Sequence, residues 1–115
     1  KIRRVVTKAD ATAPHEVLAR LRSARYRHLT LPPTPLRSVT VLPIPPDTGF
    51  EDCPQLDLLC VPGGPGVAAL MEDDVVLGFL RRQAAGARYV TSVCTGALVL
   101  GAAGLLRGRR ATTHW

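Results

Sequence analysis

Residues 89–106 read YVTSVCTGALVLGAAGLL. Aromatic and β-branched residues dominate its first five positions, a strand composition. After Cys94 the residues turn small or straight-chained, which suits a helix. A strand that passes directly into a helix is a building unit of a parallel α/β sheet. The thiol stands at the join, and two readings fit it. Cys94 is either a small buried core residue or a nucleophile raised above the sheet on a sharp strand-to-helix turn. In the second reading the first N–H groups and dipole of the helix face the sulfur and favour a thiolate. Gly96 and Ala97 keep the turn sterically open. Local sequence leaves both readings standing.

Working outward, LDLLCVP at residues 56–62 is a short, almost wholly apolar run that enters GGPG. Such a run reads as a strand buried on both faces. MEDDVVLGFLRRQAAG at 71–86 opens with acids, carries Val76, Phe79, Leu80 and Gln83 at helical spacing, and stops at Gly86. The small-residue helix after Cys94 is expected to run to Gly108, and RRATTHW to begin another strand. Strand, helix, strand, helix, strand implies a parallel sheet with right-handed crossovers. Upstream, ATAPHEVLARLRSA at 11–24 reads as a short helix capped by Thr12, with Pro14 in its first turn. Residues 31–47 hold six prolines. They are expected to be extended and loop-like, with SVTVL at most an edge strand.

At 115 residues the chain fits one domain, 1–115, in which 31–49 is irregular. A chain of this size buries roughly 65% of its unfolded surface. Hydrophobic residues make up 46% and aromatics 4%, so Ala, Leu, Val and Gly must fill the core. No apolar run reaches the ~20 residues of a membrane span, and no signal peptide is evident at residues 1–10. The net charge of +6 comes mostly from arginines that scatter along the chain, among them Arg20, Arg25, Arg81 and Arg109. No aromatic residues interleave with them and no DNA-binding motif frames them, so they read as solvated helix faces and ends. Cys53, Cys60 and Cys94 are odd in number and lack C-x-x-C spacing. That argues against a disulfide scaffold and a zinc site, and it suits a reducing cytoplasm. The chain begins with Lys and stops where a sheet normally continues, so a longer parent protein is expected.

Ligands of open α/β sheets bind beyond the carboxyl ends of the strands. Two loops fall there, PGGPG at 62–66 and SVCTG at 92–96. Gly63 and Gly64 allow backbone N–H groups close to a ligand, although an ordinary tight turn explains them equally well. Cys60 lies inside the strand run and reads as core. Cys53 sits in a polar loop with nothing to activate it. A thiolate nucleophile needs a proton-handling partner. His15 reads as a solvent-facing helix residue and His28 as a strand-face residue. His114 falls on the edge that carries Cys94. Asp10, before the first helix, lies where a loop after the first strand would put it.

FEDCPQLDLLCVPGGPGVAALMEDD, RYVTSVCTGALVLGAAGLLRGRRATTHW and DATAPHEVL together resemble the ThiJ/PfpI superfamily, and more narrowly its isocyanide hydratase branch. The resemblance covers residues 50–115 and 10–21. It implies a flavodoxin-like three-layer α/β sandwich with a mostly parallel sheet whose C-terminal part lies beyond Trp115. It further implies a homodimer without metal or organic cofactor, acting on a small-molecule substrate. By motif, Cys94 matches the nucleophile, Asp10 the acid, Thr95 the residue offering its N–H and hydroxyl, and Gly63 and Gly64 the facing turn. The chain departs from the pattern where Lys1, Arg3, Arg4 and Lys8 interrupt the first strand and where Ala13 replaces a common glycine. The implied reaction adds water to an isocyanide through a thioimidate, giving an N-substituted formamide. The same signature occurs in sensor domains of AraC-type transcription regulators, where nucleic acid would be a partner of the whole protein. A related hydrolase or glyoxalase is a third reading, although Thr95 stands where a catalytic-dyad histidine often follows the cysteine.

Overall fold

Three parallel strands frame the site. In a computed structural model, the chain is described at residues 4–5, 36–37, 43–44 and 48–113. Strand β1 (Arg4–Val5), β2 (Leu36–Arg37), β3 (Pro43–Ile44) and β4 (Leu58–Val61) are followed by helices α1 (Val67–Met71) and α2 (Asp74–Gly86). Strand β5 (Tyr89–Ser92) and helix α3 (Gly96–Ala102) complete the order. The main sheet runs β1-β4-β5, with Arg4 opposite Leu58 and Leu58 opposite Tyr89, all parallel. The expected α/β architecture with a parallel sheet is therefore present. Parallel strands bring their carboxyl ends to one edge, so the loops after β4 and β5 emerge side by side.

Strand β4 is central because all four of its residues are apolar and buried. Side chains alternate across a strand. Leu59 and Val61 join Val67, Val76, Phe79, Leu80, Val99 and Leu100 in one core cluster beneath the helices. Leu58 and Cys60 point to the opposite face and are buried there too. The helical stripe read from the sequence is the one that packs, since Val76, Phe79, Leu80 and Gln83 are the inward residues of α2 together with Leu77. Gln83 is polar and buried, and both ends of its amide are engaged. Its Oε1 accepts from Leu56 N at 2.9 Å and its Nε2 donates to Pro54 O at 3.3 Å, tying α2 to the lead-in of β4. Phe50 stacks on Phe79 with ring centroids 4.1 Å apart.

Several expectations need correcting. α3 ends at Ala102 and not at Gly108. Gly104 takes φ +79, Gly104 N–H donates to Gly101 O and Leu105 N–H to Leu100 O. That pair of bonds is a Schellman stop, which consumes the last carbonyls before Gly108 is reached. A separate five-residue helix, α1, precedes α2, and Asp73 between them caps α2 by accepting from Val75 N and Val76 N. Residues 110–113 carry no strand assignment. The proline-rich segment holds the antiparallel pair β2–β3, in which Pro43 faces Arg37. Proline suits such a short ladder because it removes only one donor. The helix expected at 11–24, and SVTVL itself, lie outside the described residues.

Candidate active site

The loops after β4 and β5 are locked together by backbone contacts that only glycine permits. Val93 N–H continues the ladder by donating to Val61 O at 3.1 Å. The next residue, Cys94, turns to φ +50, the one positive φ among the described non-glycine residues. A left-handed conformation costs a residue with a Cβ about 1–2 kcal/mol. The turn is held by what surrounds it. A Cβ on Gly96 would stand 2.8 Å from Pro62 C and closer still to the Val61 carbonyl oxygen. A Cβ on Gly63 would stand 2.6 Å from Thr95 N and closer still to Thr95 Oγ1. Gly64, at φ +127, donates its N–H to Thr95 Oγ1 at 3.1 Å.

This arrangement brings Cys94, Thr95, Gly63 and Gly64 into one site at the carboxyl edge of the sheet. Cys94 is half-buried, whereas Cys60 is 3% exposed inside β4. The core reading fits Cys60, and the elbow geometry fits Cys94. Cys53 is half-buried in its loop and its Sγ donates to Pro54 O at 3.4 Å.

The hydrogen bonds differ from expectation in two respects. The Gly64 N–H is taken by the Thr95 hydroxyl and does not point at a ligand as a spare donor. That hydroxyl, having accepted, keeps its own proton for donation. The first N–H groups of α3 are also spoken for. Gly96 N donates to Val93 O at 3.0 Å, Ala97 N to Cys94 O at 3.5 Å and Leu98 N to Thr95 O at 3.0 Å. The N–H of Thr95 is left without an acceptor among the described residues.

One contact had no signature in the sequence. Thr113, 19 residues beyond the cysteine, donates its hydroxyl to the Cys94 carbonyl oxygen. The only hint available was that the chain after α3 must return to the sheet edge. Asp10, His15, His28 and His114 lie outside the described residues. Among the described residues, no group of three His, Cys, Asp or Glu could hold a metal ion. No helix among them is long and apolar enough to cross a membrane.

Comparison with known proteins adds ancestry to this geometry. Residues 3–115 match the model of the DJ-1/PfpI family. Over 110 residues the chain is 58% identical to isonitrile hydratase of Pseudomonas putida, covering 96% of this chain and 48% of that protein. A stretch of 74 residues is 39% identical to the HTH-type transcriptional regulator GbdR of Pseudomonas aeruginosa, covering 64% of this chain and 20% of that one. A solved ThiJ/PfpI family protein from Pseudomonas syringae aligns with a TM-score of 0.90 at 38% identity, over 99% of this chain and 50% of that one. The chain thus spans about half the length of the hydratase and of the Pseudomonas syringae protein.

Proposed function

The chain belongs to the DJ-1/PfpI family, and from that premise we propose that it is a cysteine-dependent isocyanide hydratase. The observation that carries this reading is the 58% identity to an isonitrile hydratase over 96% of the chain. The positive-φ elbow at Cys94 supports it, because that turn exposes a nucleophile at the ligand-binding edge of an α/β sheet.

In the proposed reaction the Cys94 thiolate attacks the terminal carbon of the isocyanide, forming a C–S bond. Protonated Asp10 delivers its proton to that carbon, giving a thioimidate. Water then adds to the same carbon as hydroxide, and its proton goes to nitrogen. Collapse of this adduct makes the C=O bond, returns the hydroxyl proton to Asp10 and expels the thiolate. An N-substituted formamide leaves, and both groups are restored. Covalent catalysis of this kind divides one hard addition into two easier ones. The Thr95 N–H and hydroxyl are the donors assigned to the developing charge, while Gly63 and Gly64 shape the turn that faces it. Donors of this kind are worth several kcal/mol in the transition state. The same reading has a homodimer in the cytoplasm working on a small molecule without metal or organic cofactor.

The test is formamide release from n-butyl isocyanide by the wild type, Cys94→Ala and Asp10→Asn. The expectation is loss of activity in Cys94→Ala and a drop of at least about 100-fold in Asp10→Asn, the scale of general acid–base catalysis. Wild-type turnover by Cys94→Ala would overturn the mechanism. A second reading, a ligand-sensing domain of a transcription regulator, draws on the 39% identity to GbdR. It is favoured if the wild type releases no formamide and two helix-turn-helix patterns occur downstream in the full-length protein.

A further inference from the structure

The Cys94–Thr95 peptide holds the two groups that matter most at the elbow. Its oxygen belongs to the strained cysteine, and its N–H is the Thr95 donor that has no acceptor among the described residues. A trans peptide is planar, so its C=O and N–H point in opposite directions and cannot be aimed independently. Whatever holds the oxygen also sets the direction of the N–H. Two groups hold it. Ala97 N–H makes a long bond of 3.5 Å from within the same turn. The Thr113 hydroxyl comes from 19 residues away and anchors the turn from outside.

We propose that Thr113 is a positioning residue: its hydroxyl, by donating to the Cys94 carbonyl oxygen, fixes the Cys94–Thr95 peptide plane and aims the Thr95 N–H at the charge that develops beside the sulfur. The catalytic consequence rests on the hydratase reading above, whereas the fixing of the plane does not. The Thr95 side chain is already engaged by Gly64 N–H and so constrains the residue from its other side. Thr113 supplies the remaining restraint. Sites that must hold donors to a few tenths of an ångström depend on such supporting bonds. The role needs a hydroxyl and not a methyl, which separates it from packing.

The experiment compares wild type, Thr113→Val and Thr113→Ser in n-butyl isocyanide hydration, together with the ¹H–¹⁵N resonance of the Thr95 amide. Valine keeps the shape and removes the donor; serine keeps the donor and removes the methyl group. Thr113→Val is expected to lower kcat roughly 10- to 100-fold, a fraction of the loss from deleting an oxyanion donor. KM should stay within about threefold, since an interaction needed only in the transition state leaves KM unmoved. The Thr95 amide should shift. Thr113→Ser should restore kcat to within about threefold and return the resonance. Wild-type kcat or an unmoved Thr95 amide in Thr113→Val overturns the proposal, and so does a serine variant that behaves like valine. Should wild type itself release no formamide, the hydratase reading falls, and the resonance alone then decides whether Thr113 fixes the plane.

Discussion

At Gly96 the backbone of one loop lies against the backbone of another, and a single methyl group measures how tightly. A Cβ there would meet the Val61 carbonyl oxygen, which belongs to central strand β4 and cannot swing aside. Gly96→Ala is therefore expected to destabilise the fold by about 1–3 kcal/mol, the usual range for overpacking. Gly49→Ala, where a Cβ meets nothing within 4 Å, should stay within about 0.5 kcal/mol. Urea denaturation of the two variants checks both, and equal stabilities would refute the close approach of the loops. At this scale the sequence was legible where glycine or cysteine punctuates a strand end. PGG and the residues flanking Cys94 flagged the two loops that meet. It was silent on Thr113, because a hydroxyl's partner 19 residues away leaves no trace in local spacing. It also misassigned the Gly64 N–H, since nothing in the pattern says that the Thr95 side chain turns back to accept it.

Helix boundaries are set by which polar end groups find partners first. The acids of MEDD marked the start of α2, yet the pattern could not say which of them caps it. Asp73 does, by accepting from Val75 N and Val76 N at 2.9 and 3.2 Å. Asp73→Ala is expected to cost about 1 kcal/mol, and Asp74→Ala much less. At the end of α3 the sequence reading places the stop at Gly108, but an earlier glycine ends the helix. Gly104 wins because its φ of +79 lets the next N–H reach Leu100 O. Gly104→Ala should cost about 1–2 kcal/mol for placing a Cβ in the left-handed region. Gly108→Ala, at φ +69 but outside that helix stop, bears the same left-handed cost, so any excess damage at Gly104 measures the Schellman bonds. If Gly108→Ala proves the more damaging change in thermal melts, the stop has been misassigned. The five residues of α1 escaped notice because one turn is too short to show a 3.6-residue period.

For the whole molecule, the parallel sheet was legible because a strand buried on both faces has no polar side to interrupt its apolar run. The same burial gives two cysteines opposite fates and so a means of reading stability. Cys60 is 3% exposed on the central strand, so a thiol reagent reaches it only when the sheet opens. Cys94 is half-buried on the turn at the sheet edge, where no strand need separate to admit a small reagent. Peptide-resolved mass spectrometry during iodoacetamide labelling in native buffer should find Cys94 modified first. Leu59→Ala removes a core side chain that is 0% exposed, and such truncations cost about 2–5 kcal/mol. A loss of 2 kcal/mol multiplies the open population about 30-fold. Cys60 labelling should accelerate by at least that factor, while Cys94 labelling changes less than about twofold. Cys60 reacting as fast as Cys94 in wild type would mean that β4 is not sealed, and the division between a core thiol and an elbow thiol would fall with it. If both thiols instead accelerate together in Leu59→Ala, the elbow exists only while the sheet beneath it is closed, and Cys94 reactivity becomes a report on the entire fold.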